Sequence, residues 1–198
     1  EFDDVVITSE GTALIITVKE TPAYTGGLTF GLGFDFDDGL FGALGLSLDN
    51  LGAQNLSLRG QLKVADEAQT LDMLVGSENF WRPGLRGGVR AALGNFAYDN
   101  TTYDYRFAEI EPFVEIPLAD AARLELRYTL AQNDIRDVHP DASRSIQSEA
   151  GRLVSSGFGA SLAFGSAMSD TPLAANGAWS LRFDQDITGL GGDTSFSA

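Results

Sequence analysis

The chain has 198 residues and a net charge of −15, with 28 acidic and 13 basic side chains. This length suits one domain, or one domain with an appendage. So negative a charge argues against nucleic acid as a partner, because phosphate binding needs a basic face. The chain has no cysteine, which excludes disulfides and thiolate metal sites. No run approaches eighteen consecutive apolar residues, which excludes a membrane-spanning helix.

The start of the chain differs from the rest. It has no basic segment followed by an apolar one, as a signal peptide would, so we expect either a cytoplasmic protein or a missing natural N-terminus. Two β-branched runs, Val5–Ile7 and Leu14–Val18, are joined by Ser9-Glu10-Gly11, which predicts a hairpin. A hairpin is too short to be a domain. Residues 1–22 are therefore predicted to end a small soluble domain, with a linker at 23–27.

Nine runs of alternating apolar and polar residues follow, from Leu28 to Ile187, separated by turns such as Asp66-Glu67. In the clearest run, Leu56 to Val64, every second residue is apolar or glycine and the others are polar or charged. Successive side chains of a strand point to opposite faces. The pattern predicts an all-β protein of about nine antiparallel strands, with one apolar and one polar face.

Two kinds of β protein fit this alternation. In soluble sandwiches and calycin-like barrels the apolar face points inward, whereas in a transmembrane β-barrel it points outward to lipid. The apolar face is uniformly large and the polar face mixes both charges with small residues, which favours the membrane barrel. The predicted lumen-facing charges are Arg59, Lys63, Arg86, Arg90, Glu109, Glu111, Arg123 and Arg127.

Three local features are also predicted. The apolar phase changes between Tyr103–Phe107 and Ile110–Ile116, which indicates a β-bulge near Phe107-Ala108. The polar segment from Asp134 to Ala150 is predicted as a long extracellular loop. The aromatic turn at Phe80-Trp81 is then expected at the inner membrane–water interface.

No catalytic arrangement is convincing, so we expect neither an enzyme nor a metal or cofactor site. His139 lies near Asp137 and Asp141, a weak candidate for metal binding or acid–base chemistry. Gly189-Leu190-Gly191-Gly192 is followed by no helix, which argues against a dinucleotide loop. The carboxylates of Glu109, Glu111 and Glu115 are expected to pair with Arg123 and Arg127 on the next strand rather than to act as an acid–base pair.

Several segments resemble, in order, the first part of the barrel of the Omp85 superfamily. They are Thr25–Phe34, Leu48–Asn55, Glu78–Gly84, Thr171–Gly177 and Ile187–Asp193, while Phe2–Val5 and Leu14–Pro22 are similar to the last strands of a POTRA domain. The turn at 49–54 lacks the usual arginine, Phe80-Trp81 departs from the usual turn, and the VRGF/Y-type motif of later strands is absent. Nine is also an odd number, whereas bacterial single-chain barrels have even numbers of strands. We therefore expect a fragment, with about the first half of a sixteen-stranded barrel at 28–198.

The resemblance implies an outer-membrane location and the insertion of client β-barrel proteins without catalysis, cofactor or nucleotide. The implied partners are unfolded outer-membrane proteins, lipoproteins of the assembly complex and outer-membrane lipid. Clients would pair by β-augmentation with the first strand, a lateral gate, here Leu28, Thr29, Phe30, Gly31, Leu32, Gly33 and Phe34. Its glycines would weaken the strand, or equally would avoid crowding in the lumen. An autotransporter-assembly relative, a passive pore or ligand-binding barrel, and a soluble β protein are the alternatives.

Overall fold

The structure, a computed structural model, describes residues 2–10, 13–20, 25–35, 39–51, 55–97, 99, 101–119, 121–165 and 180–192. These residues form eleven strands and one short helix. The elements are β1 (Phe2–Glu10), β2 (Ala13–Glu20), β3 (Thr25–Asp35), β4 (Gly39–Leu51), β5 (Leu56–Ala65), β6 (Ala68–Ser77), β7 (Arg86–Phe96), β8 (Asp104–Ala119), β9 (Ala122–Arg136), α1 (Arg144–Ser148), β10 (Gly151–Gly165) and β11 (Ser180–Gly192). Within these ranges, no helix is long and apolar enough to cross a membrane.

The first two strands form a sheet of their own. β1 and β2 pair antiparallel, with Val5 opposite Val18 and Ile7 opposite Ile16. The assignment of this hairpin to a POTRA-like domain, and the division of the chain at 22 and 27, stay predictions. β3 begins at Thr25, inside the segment that the sequence predicted as a linker.

The other nine strands form one antiparallel sheet in which each strand pairs with the next along the chain. The order runs from β3 at one edge to β11 at the other. The expected all-β fold with nine barrel strands is confirmed, and so is the turn at Asp66-Glu67. Trp179, Phe36 and the segment Thr171–Gly177 lie outside the described residues.

The alternation in sequence separates two faces of this sheet, called here the apolar face and the polar face. One cross-strand row of the apolar face contains Leu28, Leu46, Gly60, Met73, Ala91, Ile110 and Leu130. Many large side chains of this face are exposed, as in Phe30 at 87% and Phe158 at 58%. The buried apolar residues of the described ranges are few, and Leu85 is the largest of them. A soluble sandwich would bury this face, because water does not tolerate so large an apolar patch.

The apolar band crosses the sheet obliquely. One row perpendicular to the strands begins with Leu32, Gly42 and Val64 on β3–β5, continues with Gln69 and Asn95, and ends with Arg106, Asp134 and Arg152 on β8–β10. The same row is thus apolar at one end and charged at the other. Strands that are tilted against the membrane normal, as in a barrel, produce this offset.

The predicted bulge near Phe107-Ala108 is wrong. β8 keeps a regular register there, with Phe107 opposite Gly94 and Ala108 opposite Leu93. Phe107 therefore shares the polar face with Glu109. Gly94 leaves room for its ring, because a Cβ on Gly94 would lie 2.7 Å from Cδ1 of Phe107. The aromatic residues of this run therefore lie on the polar face, where they pack against neighbouring strands instead of facing lipid.

The predicted long loop is shorter than expected. β9 continues to Arg136, with Asp134 opposite both Arg106 and Arg152, so the connection to β10 spans 137–150 and contains α1. Sequence suggested a loop because side chains on both faces become polar after Leu130. The backbones of β8, β9 and β10 remain paired there although neither face is apolar, because the three strands extend together beyond the apolar band.

Candidate functional site: the polar face and the edge strand β3

The polar face of β7–β11 holds a group of mutually paired charges. This charge cluster consists of Arg90, Glu111, Glu125, Arg127, Arg182, Asp184 and Asp186. Their positions follow from the strand period of two, which puts residues 109, 111 and 113 of β8 on the same face as 123, 125 and 127 of β9. The cluster has members on β7, β8, β9 and β11 and reaches across β10.

Arg90 connects the first three of these strands. Its Nη1 lies 2.6 Å from Oε1 of Glu111, and its Nη2 lies 2.6 Å from Oε2 of Glu125. The guanidinium also stacks on the ring of Phe113, with Cζ 3.9 Å from the ring centroid. Arginine suits this place because its planar fork can donate to two carboxylates and stack on an aromatic ring at once.

Arg127 has the largest number of partners in the cluster. Its ion-pair partners are Glu111 at 3.8 Å, Glu125 at 3.5 Å, Asp184 at 3.7 Å and Asp186 at 2.6 Å. It also donates to the hydroxyl of Ser161. Its side chain is only 10% exposed. The contacts reach from β8 to β11, so one guanidinium holds four strands on this face.

Arg127 can reach β11 because β10 has a glycine in its path. Gly159 lies opposite Arg127 on one side and Asp186 on the other. A Cβ on this glycine would lie 2.7 Å from Cζ of Arg127 and would also collide with the Asp186 carboxylate. The missing side chain is therefore the space that the ion pair occupies.

A second charged group lies at the ends of the strands, near the turn between β8 and β9. Glu115 accepts from Arg86 at 3.2 Å and from Arg123 at 3.3 Å. The expected pairing of Glu115 with Arg123, and of Glu111 with Arg127, is found. Glu109 differs from expectation, since no basic residue of the described ranges pairs with it; it faces Ala92 and Ala131 across the strands.

The remaining predicted charges are not brought into the cluster. Lys63 lies over the ring of Phe41, 4.7 Å from its centroid. Arg59 borders a depression of about 430 Å³ on the polar face, together with Gln61, Asp72 and Glu109. The role of all eight charges in lining a lumen stays a prediction.

The predicted gate residues, from Leu28 to Phe34, all belong to the edge strand β3. This strand pairs with β4, with Leu28 opposite Leu46 and Gly31 opposite Ala43. On the polar face the side-chain hydrogen bonds between β3 and β4 are long, such as the one that Thr29 Oγ1 donates to the Gly45 backbone oxygen at 3.5 Å. β3 thus lies at the opposite side of the sheet from the charge cluster.

Sequence reasoning missed four members of the cluster as site residues: Glu125, Arg182, Asp184 and Asp186. They follow the same period of two on their strands, so their face was predictable. What sequence did not contain was the bridging across a glycine, since Arg127 and Asp186 are 59 residues apart.

Metal chemistry finds no support in the described ranges, where no group of three or more potential ligands could hold an ion. His139 Nδ1 lies 3.4 Å from Asp141 Oδ2 in the loop before α1, and both side chains are well exposed. Such a pair is of the kind that contributes little at a protein surface.

Comparison with known proteins gives one match in sequence and one in fold. No model of a known protein family matches the chain. The chain is 27% identical over 200 residues to the outer membrane protein assembly factor BamA of Neorickettsia risticii (strain Illinois), covering 98% of this chain and 27% of that protein. It superimposes on the crystal structure of BamA from Haemophilus ducreyi lacking POTRA domains 1–3 with a TM-score of 0.68 at 16% identity.

That structural match covers 97% of this chain and 40% of the solved one, so the chain spans well under half the length of either relative. The solved structure identifies the fold as part of a BamA barrel, which explains why the nine-stranded sheet does not close on itself. The expected outer-membrane location is also confirmed, because the relatives are outer-membrane proteins. The resemblance expected from the sequence motifs is thus confirmed, since the chain is similar to part of a BamA both in sequence and in fold.

Proposed function

We propose that this chain is part of an outer-membrane protein assembly factor, and that clients pair with its strand β3. The proposal takes its general activity from the name of the Neorickettsia relative. The observation that carries the finer statement is the place of β3 at the edge of the sheet, with Phe30 and Leu32 exposed at 87% and 85%. The proposed partners are unfolded outer-membrane proteins, lipoproteins of the assembly complex and membrane lipid.

An open strand edge is costly in lipid. Backbone N–H and C=O groups without partners cost several kcal/mol each in the hydrocarbon region. An arriving client strand removes that cost by adding itself to the edge, which is β-augmentation. Such an edge promotes strand formation in the client without any covalent chemistry, so neither a cofactor nor a nucleotide is needed.

Within the superfamily we infer the BamA type, as both relatives carry that name. The motifs in the sequence are similar to the alphaproteobacterial BamA type, with TamA as the near alternative. The two assembly factors would differ in their clients, and photo-crosslinking identifies the clients directly.

The proposal predicts that clients contact Phe30 and not Phe158. Both are phenylalanines of the apolar face, but Phe30 lies on the edge strand β3 whereas Phe158 lies on β10, between β9 and β11. A photo-crosslinking amino acid is placed at either position in the full-length protein in cells. We expect newly made β-barrel proteins to crosslink at position 30 and not at position 158.

Equal crosslinking at both positions would contradict the role of β3, because a client could then be meeting the apolar face in general. A passive pore, the other function considered from sequence, has no client and would yield crosslinks at neither position. An autotransporter-assembly factor would yield crosslinks at position 30, but to autotransporters only.

The two central glycines of β3 make a second prediction possible. A Cβ on Gly33 would lie 2.5 Å from Cζ of Phe41, whereas one on Gly31 would meet no atom within 4 Å. Packing against Phe41 thus explains why position 33 is glycine, whereas no neighbouring atom requires glycine at position 31. We expect Gly31→Val to strengthen β3–β4 pairing by up to about 1 kcal/mol and to slow client assembly.

The measurement for Gly31→Val is the rate at which the full-length variant assembles a client in proteoliposomes, with barrel stability measured in parallel. Gly60→Val on β5 is the matched control, because its Cβ also has open space, with only the Asp72 backbone oxygen at 3.9 Å, and because β5 pairs with β4 and β6 but not with β3. Unchanged assembly by the Gly31 variant would show that a weak β3 is not needed.

A further inference from the structure

The apolar face carries charge at one place. Along the nine-stranded sheet, the described charged residues on this face are Asp104, Arg106, Asp134, Arg136 and Arg152, all at the ends of β8, β9 and β10 that lie nearest the loop 137–150. The three arginines among them are exposed. We propose that Arg106, Arg136 and Arg152, called here the arginine patch, bind the phosphate of an anionic membrane-lipid headgroup.

The arginine patch lies where the apolar band ends. Directly below the patch on the same strands, the apolar face presents Ile110, Leu130 and Phe158, which are exposed. Lipid chains cover residues of this kind in a β-barrel, and headgroups lie at the boundary where the apolar band ends. The patch therefore meets the membrane at the depth of the headgroups.

Two of the three arginines flank a common residue. Arg106 and Arg152 lie opposite the same residue, Asp134, on its two sides. Since neighbouring strands are about 4.8 Å apart, the two arginine Cα atoms are roughly 10 Å apart. Two arginine side chains of that separation can converge on one phosphate group, which the planar guanidinium binds through paired N–H groups.

The charge of the arginine patch also favours an anionic ligand. Arg136 lies 3.5 Å from Asp134, which neutralises the carboxylate between the other two arginines. Arg106 uses its Nε to donate to Asn95 at 2.5 Å, an interaction that orients the guanidinium and leaves its terminal nitrogens available. The side chain of Arg152 forms no hydrogen bond or ion pair with the described part of the chain. In a protein of net charge −15, a local excess of arginine next to lipid indicates an anionic ligand.

The test is a lipid titration of the full-length protein in neutral detergent, read by native mass spectrometry. Phosphatidylglycerol is the anionic probe and phosphatidylcholine the zwitterionic one. We expect Arg152→Gln to weaken phosphatidylglycerol binding about fivefold, since one basic residue near a membrane surface contributes about 1 kcal/mol. Phosphatidylcholine binding should not change, and Arg152→Lys should retain most of the affinity.

The matched control is Arg82→Gln, which removes the same charge from the exposed turn between β6 and β7, at the opposite ends of the strands. Equal weakening in both variants would overturn the proposal, because the effect would then come from overall charge. Displacement of phosphatidylglycerol by inorganic phosphate at equal concentration would overturn it too, as the ligand would then be a free anion. Neither outcome depends on client assembly, so the proposed function could fail while this site stands.

Discussion

Leu126→Arg is expected to destabilise the barrel by about 2–4 kcal/mol, the cost of a cationic side chain on the lipid-facing side at the bilayer midplane. Leu126 lies near the middle of the apolar band on β9, and its side chain is exposed on the apolar face. Val114 and Ala160 flank it on the neighbouring strands, so no acidic partner is near. The measurement is the free energy of unfolding of the full-length protein in lipid vesicles.

Gln132→Arg on the same strand provides the matched control. Residue 132 lies on the apolar face but beyond Leu130, the last large apolar residue of β9 on that face, and close to the arginine patch. A cationic side chain near the membrane interface costs about 0–1 kcal/mol, so this variant should fold almost as well as the parent. Equal costs at 126 and 132 would contradict the assignment of the apolar face to lipid, and with it the position of the membrane boundary.

Much of the fold was predictable from the sequence because a period of two has few structural solutions. Nine alternating runs with short turns specify a meander, and the register follows from which face is apolar. The bulge at Phe107-Ala108 was predicted wrongly for the same reason: side-chain type was taken as a sign of face. Phe107 is aromatic but packs over Gly94 on the polar face, a cross-strand contact that no local pattern contains.

The candidate site was predictable only in part. The face of each charge could be derived from parity, and two of the expected pairs, Glu111 with Arg127 and Glu115 with Arg123, lie on adjacent strands. The pairing of Arg127 with Asp186 skips a strand and depends on the missing side chain of Gly159. Sequence analysis assigns glycine a backbone role first, so a glycine that serves as space for an ion pair is not recognised until the strands are in register.

Arg127→Met should destabilise the sheet strongly, because it leaves four carboxylates on the polar face with one cation fewer. Removing one partner from a largely buried ion pair costs about 3–5 kcal/mol, and water in the lumen should lower the cost to about 1–3 kcal/mol. Thermal unfolding of the full-length protein measures it. Arg182→Met is the control, since its side chain is 60% exposed and its ion-pair partner Asp184 lies on the same strand.

A double-mutant cycle between Gly159→Ala and Arg127→Met then tests whether the glycine serves the ion pair. In the parent, the added Cβ pushes the guanidinium of Arg127 away from Asp186, and we expect a loss of about 1–2 kcal/mol. With methionine at 127 there is no ion pair to displace, so the same alanine should cost little, for a coupling within the range of about 0.5–3 kcal/mol seen for residues in contact. Additive losses would show that alanine disturbs the β10 backbone instead. The missing side chain of Gly159 would then not be what stabilises the charge cluster.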